Sequence, residues 1–424
     1  MSRPMKHSGV DWLGDIPADW NCVHLKKIAR IITGNTPSKS ESDKYYSQES
    51  GYLWIKAEDL GSINPITNTA EYLTEDGIKQ GRLFPTNTVY VCCIASVGKV
   101  GFCNVPASCN QQINGLIFYG AYWKYGFYTT IAQESEYINN ASGNVMKIIN
   151  SDKQSRLICP LPPLDEQQRI ANFLDDECRR IDSVISKTRA TVDEYKKLKQ
   201  AIITRAVTRG IRANRPLKHS GVDWLGDIPA DWELSKIKYV ADFQPSCDTS
   251  KLTDESEITY TPMECIKNGY FINNTALYGS VAASLTPYND GDIVVAKVTP
   301  CFENGNIAVM ENLASGFGLG SSELFVLRPH SVATRYLFYW LQNDSFKQRC
   351  CATMTGTGGL KRVSPYFVRN SFVTFPPLDE QKEIAAYLDE KTAAIDSLVA
   401  KKNRLVSELE SLKKSLIFEY VTGN

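Results

Sequence analysis

Side chains that are able to read DNA occur in two separate stretches of the chain. Asparagine and glutamine can form paired hydrogen bonds with base edges, serine and threonine can bond to bases, and lysine and arginine pair with phosphate. Each of these residues alone is a weak signal, since a surface asparagine or glutamine is usually just solvated, so they are candidates for a DNA-binding surface in each stretch. The candidates are Thr36, Ser38, Lys39, Lys99, Gln111, Gln112, Asn114 and Lys147 in the first stretch, and Lys297, Thr299, Asn304, Asn306, Ser321, Lys361 and Arg362 in the second.

Two of the candidate lysines lie at the end of a loop of small polar residues. The loops are Ala141–Lys147 and Thr353–Arg362, and Lys147 and Lys361 are 214 residues apart. A loop of this kind lets backbone amides and a cation approach a phosphate group. A flexible surface loop has the same composition, so the sequence leaves both interpretations open.

The chain shows no recognisable catalytic or cofactor motif. Ser96–Val100 lacks the first glycine and the Ser/Thr of a nucleotide-binding P-loop, and Gly316–Ser322 does not match G-x-G-x-x-G. Ser364–Tyr366 is similar to the proline-aromatic motif of amino-methyltransferases but lacks its second proline. A catalytic chain of this size usually carries at least one such motif. We therefore predict a binding or scaffold role, with no catalytic residue and no cofactor.

The composition is typical of a folded, soluble protein. The chain has 424 residues, of which 43% are hydrophobic and 22% are charged, and this length predicts roughly two to four domains. Lys and Arg total 47, as do Asp and Glu, which excludes a polycation but not a local basic groove. No apolar run approaches the ~20 residues of a membrane helix, so we expect a cytoplasmic protein without a membrane segment.

The twelve cysteines do not have the spacing of metal ligands. Cys92–Cys93 and Cys350–Cys351 are adjacent pairs, C-x-x-C does not occur, and none of the four histidines pairs with a cysteine. A zinc site generally needs two closely spaced pairs of ligands. We expect no metal site, and buried thiols in the reduced state.

The chain is internally duplicated. The sequence KHSGVDWLGDIPADW occupies Lys6–Trp20 and returns unchanged at Lys218–Trp232, and PPLDEQ occurs at Pro162–Gln167 and again at Pro376–Gln381. The stretches between these repeats share little identity. Two similar docking surfaces that carry two different working modules explain this pattern better than uniform divergence of a duplicated domain.

Each middle stretch is predicted to be a mixed α/β module. Strands are indicated at Thr88–Ala95 and Val100–Val105, and again at Asp292–Thr299 and Ile307–Met310. Helical patterns follow each pair of strands. The predicted organisation is an N-terminal segment at 1–20, module 1 at 21–158, a first helical region at 159–210, a linker with the repeated segment at 211–232, module 2 at 233–372 and a second helical region at 373–424.

A long helix is predicted after each PPLDEQ. Apolar residues that alternate between spacings of three and four predict a coiled-coil seam. Its members are Ile181, Val184, Tyr195, Leu198 and Ile202 in the first helix, with Thr188 and Thr191 in register, and Ile395, Leu398, Leu405, Leu409, Leu412 and Leu416 in the second, with Lys402 in register. We expect the two helices to pack antiparallel and to hold the modules apart. Dimerisation of two chains through these helices is the alternative.

Taken together, these motifs resemble those of the specificity subunit of Type I restriction–modification systems. The resemblance rests on GVDWLGDIPADW, on TGNTPSK at Thr33–Lys39, on PLPPLDEQQRIANFLD at Pro160–Asp175 and on FPPLDEQKEIAAYLDEKTAAID at Phe375–Asp396. It covers essentially the whole chain, although the interiors of the modules match only loosely.

The resemblance implies a fold, a ligand and a set of partners. The fold would be two α/β (α+β) target-recognition domains, separated by an antiparallel two-helix coiled coil and related by an internal pseudo-two-fold repeat. Each domain would read one half of an asymmetric, bipartite site in double-stranded DNA. DNA methyltransferase subunits would dock on the helical regions and repeated segments, and restriction subunits would join them. The chemistry of S-adenosylmethionine, ATP and magnesium would belong to those partners.

Three other classes of function stay open at this point. One is the recognition subunit of a multi-subunit DNA methyltransferase that has no nuclease. The others are an enzyme with an unrecognised active site and a coiled-coil scaffold without a role on DNA.

Overall fold

The computed structural model describes residues 3–281, 284–357 and 359–423. The chain forms two compact units, one of Met1–Arg189 with Asn403–Asn424 and one of Ala190–Lys402. We call them unit 1 and unit 2. Each contains one middle stretch, one copy of the repeated segment and parts of two long helices, so the duplication in the sequence is also a duplication of structure.

Unit 1 is a mixed α/β unit. Its strands are Met5–His7, Asp15–Pro17, Asn21–His24, Ala29–Thr33, Tyr46–Ser47, Tyr52–Ile55, Tyr72–Leu73, Val89–Cys92, Val100–Phe102, Ser108–Cys109, Ile113–Phe118 and Ile158–Leu161. Its short α-helices are Ser42–Tyr45, Glu75–Gln80, Trp123–Ala132, Glu134–Asn140 and Ser151–Ser155. The first long helix, Leu164–Arg209, begins in this unit.

Unit 2 has a similar succession of elements. Its strands are Leu217–His219, Asp227–Pro229, Glu233–Lys236, Ala241–Phe243, Glu257–Thr261, Thr275–Leu277, Thr286–Asn289, Ile293–Ala296, Ile307–Val309, Phe317–Gly320, Leu324–Pro329 and Phe372–Phe375. Its short α-helices are Thr334–Trp340, Asp344–Ala352 and Pro365–Asn370. The second long helix, Leu378–Thr422, begins here.

Both units contain the same four-stranded antiparallel sheet. In unit 1 the strand order is Ala29–Thr33, Ile113–Phe118, Val89–Cys92 and Val100–Phe102, and in unit 2 it is Ala241–Phe243, Leu324–Pro329, Ile293–Ala296 and Ile307–Val309. The central strands are apolar throughout because both of their faces are covered. Val89 and Val91 belong to one core cluster, and Tyr90 and Cys92 belong to another.

The second sheet distinguishes the two units. Each has one parallel strand pair, Tyr52–Ile55 with Ser108–Cys109 and Glu257–Thr261 with Phe317–Gly320. In unit 1 the parallel pair forms one edge of the sheet, whereas in unit 2 it lies at the centre of the sheet. The divergence between the middle stretches therefore reaches the strand order and is not confined to surface side chains.

The glutamate of each PPLDEQ ties the repeated segment to the start of a long helix. Glu166 accepts a bond from Trp20 Nε1 (3.1 Å) and pairs with Arg3. Glu380 accepts the same bond from Trp232 Nε1 (3.0 Å) and pairs with Arg215. We call these two groups the Glu166 clamp and the Glu380 clamp. The motif therefore has an internal role, since its glutamate is used within its own unit.

The glutamine of each PPLDEQ supports a helix of the module. Gln167 Oε1 accepts from the Tyr122 N–H, just before the helix Trp123–Ala132, at 2.8 Å. Gln381 Oε1 accepts from the Ala333 N–H, just before Thr334–Trp340, also at 2.8 Å. Each glutamine thus satisfies an N–H group at a helix start that has no partner within its helix.

Parts of the two long helices lie antiparallel within each unit. In unit 1 the paired residues are Phe173 with Tyr420, Asp182 with Lys413 and Arg189 with Glu410. In unit 2 Lys199 pairs with Asp396. This pair is the counterpart of Asp182 with Lys413, because the two lysines and the two aspartates are each 214 residues apart. As one helix is followed forward its partners lie progressively earlier in the other, which confirms the antiparallel packing predicted from the sequence.

Six of the eleven predicted seam residues are buried or half-buried, and the other five are exposed. Ile181, Tyr195, Ile202, Ile395, Leu409 and Leu416 are buried or half-buried. The prediction was wrong for five residues, which are 37–54% exposed, namely Val184, Leu198, Leu398, Leu405 and Leu412. The residue that follows each of them in sequence is Ile185, Lys199, Val399, Val406 or Lys413, and these five are buried or half-buried.

The error has a geometric cause. At 3.6 residues per turn, residues i+3 and i+4 lie on opposite sides of residue i, at about −60° and +40°. Val184 and Ile185 lie three and four positions after Ile181, and both are apolar. Leu405 and Val406 stand in the same relation to Lys402. The spacing pattern therefore fits two phases, and the neighbouring helix covers the i+4 side.

Substitutions at neighbouring positions should separate the two phases. We expect Val406→Asp to lower the free energy of unfolding of unit 1 by about 3 kcal/mol, because an unpaired charge would be buried. Leu405→Asp is the matched control, with an expected loss below about 1 kcal/mol, since Leu405 is already 37% exposed. Urea denaturation of the two variants measures the difference. Equal losses of unfolding free energy in the two variants would support the seam predicted from the sequence.

The described part of the chain has no helix that is long and apolar enough to cross a membrane. All twelve cysteines are free; eight are buried and four are half-buried. Burial raises the pKa of the Cys93 thiol to about 12. The residues described contain no group of His, Cys, Asp and Glu side chains that could hold a metal ion.

Candidate nucleic-acid interface

Three loops of unit 2 meet beside the shared sheet. They are residues 297–306, residues 321–323 and the described part of residues 353–362, and we call them loop cluster 2. The Lys297 N–H donates to the carbonyl of Glu323 (3.0 Å), and the Thr299 N–H donates to that of Lys361 (2.9 Å). The Val363 N–H returns to the carbonyl of Lys297 (2.9 Å). The polar glycine loop identified in the sequence is therefore joined to the hairpin by backbone bonds.

Unit 1 builds the same arrangement from different residues. Its loops are 93–99, 110–112 and 141–149, which we call loop cluster 1. Three backbone N–H groups donate to backbone carbonyls. The bonds run from Cys93 to Gln112 (2.8 Å), from Ala95 to Lys147 (3.0 Å) and from Ile149 to Cys93 (3.0 Å). These three bonds match the three of loop cluster 2.

The matching bonds define equivalent positions in the two clusters. They pair Gln112 with Glu323, Lys147 with Lys361, and consequently Ile148 with Arg362. The equivalence of the two lysines agrees with their spacing in the sequence. At the other two equivalent positions the side chains differ in chemical type, glutamine against glutamate and isoleucine against arginine, although the backbone hydrogen bonds match.

Loop cluster 2 presents Asn304, Lys361 and Arg362 at its surface. Arg362 forms a two-bond ion pair with Glu323, from Nε to Oε2 (2.9 Å) and from Nη2 to Oε1 (2.8 Å). The hydrogen bonds from Arg362 hold the pKa of the Glu323 carboxyl below its ordinary value, so this carboxylate is ionised at neutral pH. Glu323 was not among the residues predicted from the sequence, where the available signal was its position two residues after the candidate Ser321 in a glycine-rich loop.

Three other candidates of unit 2 support the loops. Lys297 is half-buried and its Nζ donates to the carbonyl of Ser322 at 2.7 Å. The Ser321 hydroxyl accepts from the Glu323 N–H at 3.2 Å. Asn306 is half-buried, and its N–H donates to the carbonyl of Cys301 at 3.0 Å. Their hydrogen bonds shape the loops from which Arg362 and Lys361 project.

Asn114 and Thr299 do not lie at a DNA-binding surface, and the prediction was wrong for both. Asn114 is 3% exposed, and its amide donates to Gln154 Oε1 at 2.6 Å within the core of unit 1. Thr299 is 9% exposed, and its hydroxyl donates to the carbonyl of Gly359 (2.9 Å) and accepts from the N–H of Lys361 (3.0 Å). A buried polar side chain needs a partner inside the protein, and the residue type alone does not reveal this.

Loop cluster 1 has two of the predicted residues, Gln111 and Gln112, in one of its loops and Lys147 in another, all exposed. Thr36 joins this surface, because its hydroxyl donates to the side chain of Gln111. Ser38 and Lys39 continue the same segment and are exposed. The fold thus brings together Thr36 and Gln111, which are 75 positions apart in the sequence.

Lys99 is the last residue of loop 93–99, and its side chain bonds to a residue outside loop cluster 1. It is half-buried, and its Nζ donates to the carbonyl of Ala57 at 3.0 Å. It lines a cavity of about 460 Å³ together with Glu134 and Lys414. The Lys99 ammonium group therefore already has a hydrogen-bond partner within unit 1.

Loop cluster 1 also has an apolar surface, which was not predicted from the sequence. Val145 is fully exposed, Met146 is 54% exposed and Ile148 is 44% exposed. Apolar side chains in DNA-binding loops contact thymine methyl groups or wedge between base steps. Loop cluster 2 has Arg362 where this loop has Ile148, so the two surfaces differ in chemical character.

Comparisons with known proteins agree with the duplicated architecture. The family model described as "Type I restriction modification DNA specificity domain" matches residues 17–192 and again 229–407. The MjaVIII specificity subunit of Methanocaldococcus jannaschii is 24% identical over 436 residues, which cover 96% of this chain and 93% of that protein. A solved structure described as "Structural basis underlying complex assembly and conformational transition of the type I R-M system" has a similar fold, with a TM-score of 0.70, 16% identity and coverage of 96% and 98%.

Some relatives share only part of their length with this chain. The EcoAI specificity subunit of Escherichia coli is 34% identical over 177 residues, which are 41% of this chain and 30% of that protein. The chain thus spans about a third of this relative. The family model, in contrast, matches both units and well over half of the residues. The chain therefore belongs to the family of Type I restriction modification DNA specificity domains, of which it contains two.

Proposed function

We propose that this chain is the sequence-specific DNA-binding specificity subunit of a Type I restriction–modification complex. Its two modules, 21–158 and 233–372, would be the target-recognition domains, and each would read one half of an asymmetric bipartite site. The observation that carries the proposal is the pair of loop clusters, which have the same backbone bonds but different exposed side chains. A common scaffold with exchanged contact residues suits the reading of two different sequences.

We also propose that DNA methyltransferase subunits dock on the repeated segments and the long helices. The two repeated segments are identical in sequence, and Lys6, His7, Asp11 and Asp15 are exposed in one as their counterparts are in the other. Packing within each unit does not explain why exposed residues are identical in the two segments. Binding of both segments to the same kind of partner does explain it. The exposed Leu398, Leu405 and Leu412 add apolar surface to the second long helix.

In this proposal the chain itself has no catalytic residue and binds no cofactor. Methyl transfer and cleavage would belong to the methyltransferase and restriction subunits, and the complex would act on DNA in the cytoplasm. The alternative is the recognition subunit of a methyltransferase without a nuclease. Restriction of unmethylated DNA by the complete complex distinguishes the two, because only the first would show it.

Replacement of one module tests the proposed function. We expect exchange of residues 21–158 for the corresponding module of a relative to change one half of the methylated sequence and to leave the other half unaltered. The reason is that each loop cluster is built within its own unit. Genome-wide mapping of methylated bases, in cells with the methyltransferase partner and with or without this gene, provides the measurement.

The matched control is the exchange of residues 233–372, which should alter only the other half. A change in both halves after either exchange would contradict modular reading. If no methylated sequence depends on this gene, the proposed function fails altogether.

A further inference from the structure

Arg362 is held in a way that leaves part of its guanidinium for a ligand. The group has five N–H donors, and the two bonds to Glu323 use one on Nε and one on Nη2. The Arg362 side chain is 49% exposed and that of Glu323 is 28% exposed. The carboxylate thus fixes one edge of the guanidinium, while three N–H groups stay outside this pair.

The backbone below Arg362 is also fixed. The Arg362 N–H donates to the carbonyl of Thr355 (2.8 Å), and the Thr355 N–H returns to that of Arg362 (3.1 Å). The next residue, Val363, is 1% exposed. A side chain anchored at both its backbone and its guanidinium loses less conformational entropy on binding than a free arginine.

Protein stability does not account for this ion pair. Exposed pairs of this kind contribute little to folding, and both partners lie in loops. The pair does have a consequence for binding, because arginine donating two bonds to O6 and N7 of guanine is the commonest specific contact in DNA recognition. An arginine whose guanidinium is already oriented is suited to that contact.

A phosphate is a poorer ligand for this arginine. The Glu323 carboxylate contributes a negative charge next to the guanidinium and would repel a phosphate. The adjacent Lys361 is exposed and, within the described residues, no ion pair with an acidic side chain engages it. The neighbouring residues thus suit different tasks, a lysine for the DNA backbone and an oriented arginine for a base edge.

We propose that Arg362, oriented by Glu323, is the residue with which the second module reads a guanine. This inference rests on the proposed function and specifies it for one position of one half-site. The equivalent position of the first module holds Ile148 opposite Gln112, so that module has no such guanine reader at this point. Glu323 acts here as a positioning residue, since it contacts Arg362 and not the base.

The test uses the complete chain in complex with its methyltransferase partner. Binding is measured by competition among duplexes that carry each of the four base pairs at every position of the second half-site. For the natural chain we expect one position with a preference for G·C of roughly 5- to 150-fold, the range for a good two-bond contact. In Arg362→Ala this preference should fall to about 1-fold at that position only. Glu323→Gln should reduce it several-fold at the same position.

The control is Arg156→Ala, which removes another exposed arginine that is paired with a carboxylate, Asp152, at 2.8 Å. It should leave all preferences unaltered. If Arg362→Ala weakens binding to every sequence equally, the arginine contacts phosphate and the proposal is wrong. It is also wrong if no preference changes, although the proposed function then stands, because the natural chain still selects its site. Absence of any selectivity in the natural complex would instead refute the proposed function.

Discussion

Replacement of Glu380 by alanine is expected to destabilise unit 2 by about 2–3 kcal/mol. The Glu380 side chain is 3% exposed and that of its partner Arg215 is 11% exposed. The substitution would leave the mostly buried guanidinium with Asp231 as its remaining counter-ion, and Trp232 Nε1 without its acceptor. A buried donor that loses its acceptor costs more free energy than a lost surface bond, because water cannot replace the acceptor.

The duplicated clamp provides an internal comparison for this experiment. In the Glu166 clamp the side chains of Arg3 and Glu166 are 39% and 16% exposed, so water can replace part of what is lost. We therefore expect a smaller effect from Glu166→Ala, of about 1–2 kcal/mol. Asp379→Ala, at an exposed residue next to Glu380, should have almost no effect. Calorimetry of the three variants measures this order, and equal stabilities for all three would show that the clamps do not contribute.

Acid should weaken the Glu166 clamp in a defined pH range. The hydrogen bond from Arg3 keeps the pKa of the Glu166 carboxyl below its ordinary value. A carboxyl group with a lowered pKa in the folded state contributes stability that is complete above its unfolded pKa, about 4.3. This contribution is lost as the pH falls from that value through the folded pKa. Glu166→Gln should remove this part of the pH dependence.

Transfer of the arginine and its carboxylate should create a new base preference in the first module. We expect the double variant Gln112→Glu/Ile148→Arg to gain a preference for G·C of at least about 5-fold at one position of the first half-site. The reason is that three backbone bonds place residues 112 and 148 as they place 323 and 362. The same competition assay measures the effect.

Each single variant is a control for the double variant. Ile148→Arg alone adds a cation that is not oriented, so it should raise affinity for most sequences and discriminate little. Gln112→Glu alone should weaken binding through charge repulsion. If the single Ile148→Arg gains the same preference as the double variant, orientation by the carboxylate is unnecessary. Any change in the second half-site would contradict independent reading by the two modules.

The sequence carried enough information for the duplication, the mixed α/β modules and the helices that follow PPLDEQ. Identical segments and repeated spacing can be read without a structure. The central strands were also recognisable, since a strand buried on both faces is apolar throughout, as at Val89–Cys92 and Ile293–Ala296. Even the match between Lys147 and Lys361 followed from their spacing in the sequence alone.

The contacts that the glutamate of each PPLDEQ makes could not be predicted from the sequence. The acidic residues at its helix start were consistent with the helix dipole, but Glu166 and Glu380 bind Trp20 and Trp232, about 150 positions earlier in the chain. A contact over this distance depends on how the module between them folds. The same holds for Asn114 and Thr299, whose residue type suits DNA and whose burial excludes it.

By itself, the sequence determined which segments are helices and strands and that they occur twice, because these properties depend on local spacing and repetition. Only the tertiary structure decided which side of each long helix is covered. The physical reason is that the residues three and four positions after Ile181 are both apolar, as are those after Lys402, so either side could have been buried until the neighbouring helix covered one of them.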